Sequence, residues 1–475
     1  MLMPTMPDSK TIKQLCFMAA IVILAVAAQD RSSRIVPALS SHTDLQALPW
    51  TVHVTSSGYN YRLAKLEPVN GAYLGAYVLQ DRKIGCSMSE FNRRTGKRHA
   101  SFFKYVGYGE PFPAEWVEQV KAEGAFPHIA WEPNGGLAEV TDNDYLRGFA
   151  RAADQSGVPI FLRFASEMNG MWTAYSGNPE QYIQVWRMVH DIFEKEAPQV
   201  AMVWTVLNVP EKPIESFYPG DRYVDWVGVN VYNVKYHNGD AMQASDFEDP
   251  LKLIDYVYNR FSRAKPIQLS EYGATHYTSV DRTEDINYAA DNIKRLYSLL
   301  PHYYPRVKAV FYFDVNNLIE YNQARRVNDY SITNEPKLLQ TYRKATSDPY
   351  YLSRLQLPAE DGERTVSERF TYRGAIFLQN GVLYVDEAFF TRMLKTEMYW
   401  PLSPEGPVYL TRWLSEADKL LTAQSEPIRH KIWSGYKIDG TVPIYRDLNA
   451  LPLIEIAEKL GFQVKVNGTN INIRE

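Results

Sequence analysis

Between residues 72 and 313 the chain repeats one unit: a short continuous apolar run, a polar break, then a stretch with helical spacing. The runs predict strands at Ala72 to Tyr77, Ala100 to Tyr105, Phe126 to Trp131, Val158 to Glu167, Val200 to Val206, Val224 to Val231, Pro266 to Glu271 and Val307 to Phe313. Apolar residues at consecutive positions suit strands covered on both faces, as parallel strands are. Seven helical patterns, over 88–95, 113–123, 142–155 (Asp142 as N-cap), 179–198, 249–264, 283–300 and 334–345, follow every strand but the fifth. Counted as eight strand–helix alternations over about 275 residues, the pattern predicts an α/β fold, a (β/α)8 TIM barrel, with active-site groups at the C-terminal ends of its strands.

The flanks predict four further segments. Residues 1–28 read as a secretory signal peptide: Lys10 and Lys13 precede an apolar stretch from Leu15 to Val26, and Ala25-Val-Ala27-Ala28 offers small residues for cleavage. An uncleaved anchor is the alternative. Residues 29–70 read as a linker with an N-terminal strand or two, Trp50 to Val54 alternating weakly. The barrel is assigned 71–347. A linker at 348–364 leads to a small α+β accessory domain at 365–475, with strands at 375–378, 382–385, 464–466 and 471–473 and helices at 387–396 and 452–460. A net charge of −4 gives no footprint for nucleic acid or an anionic membrane. Of two cysteines, Cys16 falls in the apolar leader and leaves Cys86 alone, so no disulfide framework is expected. The nine histidines are scattered, and neither metal nor cofactor is expected.

Two of the predicted strands deliver a carboxylic acid to a Gly-containing loop. Phe161-Leu-Arg-Phe-Ala-Ser-Glu-Met-Asn-Gly-Met-Trp172 carries Glu167, and Pro266-Ile-Gln-Leu-Ser-Glu-Tyr-Gly273 carries Glu271. Paired carboxyls on one rim are what glycosidic bond cleavage requires. Aromatic residues make up 13% of the chain, and some of these rings are candidates to stack on sugar faces. Trp131 and Trp172 are such candidates, with rim packing as the alternative. Asn169 reads either as a sugar hydrogen-bond donor or as a turn residue before Gly170. Glu132 follows a strand end too, where a structural hydrogen-bond role is expected. His276 and Tyr277 lie just past Glu271, and Trp226 falls inside a strand.

Arg163-Phe-Ala-Ser-Glu-Met-Asn-Gly-Met-Trp172 resembles the acid/base motif of glycoside hydrolase family 26, which includes β-mannanases, β-1,3-1,4-glucanases and β-1,3-xylanases. Ser270-Glu-Tyr-Gly273 resembles its nucleophile strand, Tyr218 to Tyr232 its sixth strand, and Ala130-Trp-Glu-Pro133 the end of its third. The resemblance covers roughly residues 70 to 346. It implies a secreted retaining hydrolase of a β-linked polysaccharide, with Glu167 as acid/base and Glu271 as nucleophile. It also implies substrate or nucleophile contacts from Arg163, Asn169, Trp131, Trp172, Tyr232 and Tyr312. Three positions depart from the family pattern: Ser166 replaces a usual His, Tyr312 stands nearest the usual floor Trp of the eighth strand, and Tyr175 replaces a second Trp. A glycan-binding protein on a degenerate barrel is therefore the alternative. The C-terminal region, through Tyr436-Lys-Ile-Asp-Gly440 and Leu451 to Gly461, resembles the copper amine oxidase N-terminal-like (stalk) domain of secreted Gram-positive proteins. With His430 alone in that region, it implies a spacer or cell-wall attachment module and no copper site.

Overall fold

The computed structural model describes residues 50–55, 59–319, 326–357, 363–366, 369–372, 374, 376–379, 381–394, 396–399, 408–412, 436–438 and 450–474. The expected signal segment, His430 and the 358–362 part of the linker lie outside them.

Eight parallel strands form the barrel: β1 (Ala72–Tyr77), β2 (Ser101–Gly107), β3 (Phe126–Glu132), β4 (Ile160–Phe164), β5 (Val200–Leu207), β6 (Trp226–Asn233), β7 (Ile267–Ala274) and β8 (Val307–Phe313). Each pairs with the next, and β8 also pairs with β1, which closes the ring. Alternation along each strand sorts the side chains. Tyr73, Phe103, Phe126, Phe161, Trp226 and Phe311 turn inward and fill the barrel's lower layers. Leu74, Ile129, Leu162, Val227, Leu269 and Val310 turn outward and join the core beneath the helices. Where β1 and β8 approach, only hydrogen fits at Gly75: a Cβ there would lie 2.3 Å from the Phe311 ring.

The helices are α1 (Met88–Thr95), α2 (Ala114–Ala122), α3 (Asp144–Gln155), α4 (Pro179–Glu196), α5 (Asp255–Phe261), α6 (Ile286–Tyr303) and α7 (Pro336–Ala345). Three details differ from expectation. Between β5 and β6 the chain makes only 3-10 turns, Ile214–Phe217 and Asp221–Tyr223, because Pro210, Pro213 and Pro219-Gly220 interrupt any longer helix. The cap of α3 is Asn143, whose side chain accepts from the Leu146 N–H at 2.9 Å, while Asp142 pairs with Arg147 at 2.7 Å. Helix α6 starts three residues later than 283, since Thr283–Glu284 pairs as a strand with Tyr277–Thr278 and Asp285 caps the helix.

The strand Thr51–Thr55 does not extend the barrel. It lies between Arg369–Thr371 and Asn470–Arg474, in a sheet completed by Gln463–Asn467. It runs parallel to Asn470–Arg474, with Val52 opposite Ile471 and Val54 opposite Ile473, all four buried. The expected helix at 387–396 is a single π-helical turn, Phe389–Met393, followed by a strand, Thr396–Tyr399. That turn projects Arg392 onto the barrel, where it meets Asp249 at 2.8 Å and Asp255 at 3.6 Å.

Candidate active site

Glu167 sits on a strained turn at the mouth of β4. Ala165 (φ 45°) and Glu167 (φ 60°) both adopt the left-handed region, which costs a residue with a side chain roughly 1–2 kcal/mol. The neighbouring strands hold the turn there. The Ala165 N–H donates to the Trp131 carbonyl on β3 at 3.0 Å, and the Glu167 N–H to the Thr205 carbonyl on β5 at 3.0 Å. The Glu167 carboxyl is half-buried and accepts from Asn230 Nδ2 at 2.7 Å and Trp172 Nε1 at 3.0 Å. Burial, and then the charge of Glu271, push its pKa up to about 7; Asn230, Arg163 and Trp172 pull the other way.

A bulge aims Glu271. Val229 and Asn230 of β6 face Leu269 and Glu271, and Val310 and Tyr312 of β8 face Leu269 and Tyr272, so β7 carries one extra residue against both neighbours. Consecutive residues can then point inward. Ser270 donates to Gln268 Oε1 at 2.7 Å, and Glu271 turns into the mouth beside it. Arg163 Nη2 lies 2.6 Å from Glu271 Oε1, Tyr105 donates to the same oxygen at 2.5 Å, and Tyr232 donates to Oε2. All these contacts present donors, as an ionised, acceptor-only carboxylate requires. Arg163 is fully buried, its guanidinium 5.3 Å from the rings of Phe103 and Tyr105. Burial opposes its charge, but Glu271, Tyr105 and Glu132 outweigh that and hold it above the ordinary range. The two glutamates share one neighbour: Asn230 bonds Glu167 and is Glu271's partner across the β6–β7 ladder.

Of the residues expected at the site, the structure brings together Arg163, Glu167, Trp172, Tyr232 and Glu271. Three others do not face the cleft. Trp131 points outward from β3, fully buried, stacked on Phe149 at 4.2 Å and on Tyr108 at 4.9 Å. Tyr312 points outward from β8, between Tyr272 and Tyr342, its hydroxyl on the Tyr330 carbonyl at 2.8 Å. The inward ring at that strand end is Phe313, stacked on Tyr77 at 5.4 Å and edge-on to Tyr232 at 5.6 Å. Asn169 spends its amide on the chain after β5, donating to the Leu207 and Pro210 carbonyls and accepting from the Leu207 N–H. It fixes a loop and has no donor left for a sugar. His276 is buried with Nε2 3.5 Å from Asp329, and Trp226 donates to the Lys65 carbonyl in the lower core.

Tyr105, Asn230 and Phe313 were not singled out from the sequence. Strand parity is the signal that finds them. Tyr105 is in phase with Phe103, Asn230 with Tyr232, and Phe313 with Phe311, all inward. Glu132 accepts from the Ser166 N–H (3.1 Å) and the Ser166 hydroxyl (2.5 Å), and lies 2.7 Å from the Tyr175 hydroxyl. Two departures from the resembled pattern, Ser166 and Tyr175, thus meet on one carboxyl.

Two carboxyls near one another, one a half-buried acid titrating near neutrality and one ion-paired, can divide acid and nucleophile roles between them. Residues 141–303 match the model of glycosyl hydrolase family 26. The chain is 24% identical over 304 residues to endoglucanase H of Acetivibrio thermocellus, covering 58% of this chain and 30% of that protein. It is 28% identical over 170 residues to a β-1,3-xylanase of an Alcaligenes species, covering 34% of this chain and 32% of the relative. It is 26% identical over 143 residues to mannan endo-1,4-β-mannosidase A and B of Caldalkalibacillus mannanilyticus, covering 27% and 25%. The chain thus spans a third or less of the length of these curated relatives. Among solved structures, a GH26 β-mannanase from Bacteroides ovatus is similar at 16% identity and a TM-score of 0.44, over 62% of this chain and 95% of that one. A β-mannanase from a symbiotic protist of the termite Reticulitermes speratus is similar at 16% identity and a TM-score of 0.40, over 61% and 96%.

Proposed function

We propose that this chain is a retaining β-glycoside hydrolase acting on a β-linked polysaccharide, β-mannan first and mixed-linkage β-glucan next. The observation that carries the reading is the contrast between the two glutamates: Glu167 titrates near 7 beside a Trp and an Asn, while Glu271 is gripped by Arg163, Tyr105 and Tyr232. A general acid must carry a proton near neutral pH, and a nucleophile must be ionised.

In this reading a Glu271 oxygen attacks the anomeric carbon as the glycosidic C–O bond breaks. Glu167 gives its proton to the departing oxygen. The sugar is then an ester of Glu271, and Glu167 is a carboxylate. Water attacks the same carbon from the vacated side, its proton passes to Glu167, and the Glu271–sugar bond breaks. Tyr232 and Tyr105 each hold one oxygen of Glu271, so one of these bonds must loosen as the attacking oxygen leaves its donor. In the same reading Trp172 stacks on the sugar next to the cleaved bond; its exposure and its bond to Glu167 support this.

Reducing-sugar release from glucomannan, galactomannan, lichenan, β-1,3-xylan and bacterial cell-wall glycans tests this, with Glu167→Gln and Glu271→Gln beside the wild type. Release from one polymer, abolished in both variants, supports the hydrolase and names its substrate. Release from none, with affinity retained for one glycan, replaces it with a glycan-binding protein. From residues 1–28 and the C-terminal resemblance we also propose export and cell-wall association, which fractionation of a Gram-positive host expressing the whole chain checks.

A further inference from the structure

The turn that carries Glu167 has one residue between its two left-handed positions, and that residue is wholly engaged inside the protein. The Ser166 N–H and hydroxyl both donate to Glu132, and the Ser166 carbonyl lies 2.7 Å from the Tyr175 hydroxyl, whose one proton it shares with Glu132. Tyr175 is also 2.7 Å from Glu132, so its phenol bridges the carboxyl and the turn. Ser166 is 5% exposed and has no donor left to offer a substrate. Glu132 sits on the same rim as Glu167 and Glu271, at the end of β3, yet its two oxygens are spent on Ser166 and Tyr175. Backbone strain of this kind persists only where surrounding contacts over-determine it. Here the contacts converge on the residue that precedes the acid.

We propose that Glu132, Ser166 and Tyr175 form one positioning unit that holds the Glu167 carboxyl at the angle from which it gives up its proton. The unit touches no reacting atom. It acts through the turn, and it makes Ser166 a built part of the site. The proposal rests on the hydrolase reading above.

The test uses leaving groups that differ in their need for a proton. Phenyl and 2,4-dinitrophenyl glycosides of β-mannobiose, cellobiose and β-1,3-xylobiose are assayed as kcat/KM, which reports steps up to the glycosyl-enzyme. Phenolate needs help from the acid; dinitrophenolate leaves without it. In Glu132→Gln, kcat/KM on the phenyl glycoside is expected to fall about 10²-fold, and on the dinitrophenyl glycoside by no more than about threefold. Ser166→Ala and Tyr175→Phe, each lacking a single hydroxyl, should show the same split at about tenfold. They also carry the test if Glu132→Gln does not fold. Equal losses on both leaving groups, in variants with wild-type circular dichroism, would overturn the positioning role. Glu167→Gln is the control: if it shows the split and the unit's variants do not, the hydrolase reading stands and this proposal falls. A wild type inert on all six glycosides refutes both.

Discussion

Replacing Glu167 by Gln is expected to raise thermal stability at alkaline pH relative to the wild type and to give no such gain in acid. In the folded chain this carboxyl titrates near 7, lifted first by burial and then by the charge of Glu271, against 4.5 for an unperturbed one. Between those values the folded state keeps a proton that the unfolded state has lost. Stability therefore falls as pH rises through the window from 4.5 to 7, and the loss is complete above it. At about 1.4 kcal/mol per unit, the ionisation withdraws about 3 kcal/mol by pH 8. The side chain is partly open to solvent, which screens the effect, so about 2 kcal/mol is the expected share. For a barrel of this size that amounts to about 4–8 °C in Tm. The amide gives up one of the carboxyl's two acceptor contacts, to Asn230 or Trp172, at a cost of about 1 kcal/mol that is present in acid as well. The decisive quantity is therefore how the difference between variant and wild type changes with pH. Melting curves at pH 5, 6, 7 and 8 provide it. A difference that is flat across this range, or that grows in favour of the wild type, would refute the assignment of a raised, protonated Glu167.

Three other outcomes follow from the same geometry. Removing the Asn230 amide with Asn230→Ala takes away a donor that favours the Glu167 carboxylate; the basic limb of the kcat/KM profile should move to higher pH by on the order of half a unit. Trp131→Ala and Trp172→Ala should separate packing from binding. The first, deep under α3, should cost about 3–5 kcal/mol in urea unfolding. The second, exposed at the mouth, should leave stability within about 0.5 kcal/mol and raise KM. Arg392→Ala leaves Asp249 to Arg295 alone and removes the cation that lies 3.6 Å from the partly buried Asp255; it should destabilise the chain by about 2 kcal/mol, read as a drop in the urea midpoint.

The barrel was legible because buried parallel strands announce themselves as unbroken apolar runs. β1 and β8 fall where those runs begin and end. The same property hid the side-chain directions. When both faces of a strand are apolar, composition cannot say which face is inward, and that is why Tyr312 was expected in the cleft where Phe313 stands. Trp131 failed in the same way: its run, Phe126-Pro-His-Ile-Ala-Trp131, has no alternation that marks the outward phase. The bulge at Ser270–Glu271 shifts phase in mid-strand and has no residue signature of its own. Asn169 was open between two roles, and only the path of the loop after β5 decides it. Long-range pairing was the other blind spot. Nothing local in Thr51–Thr55 says that its hydrogen-bonding partners lie beyond residue 369.

That pairing has a consequence for how the chain is made. The strand Thr51–Thr55 leaves the ribosome before any part of the barrel, and its parallel partner Asn470–Arg474 follows more than about 400 residues later. At 5–20 residues per second, this is roughly 20–80 s during which the barrel can close, and for about the first three-quarters of it, until Arg369–Thr371 is made, the early strand has both edges open. A polypeptide cut between β8 and residue 369 would carry all eight barrel strands and a lone strand with both edges unpaired; one cut between 372 and 469 would leave open the edge that faces Asn470–Arg474, the kind of edge that invites another chain to join. The early segment thus reports on synthesis as far as Arg474: its sheet is complete only once Asn470–Arg474 has been made.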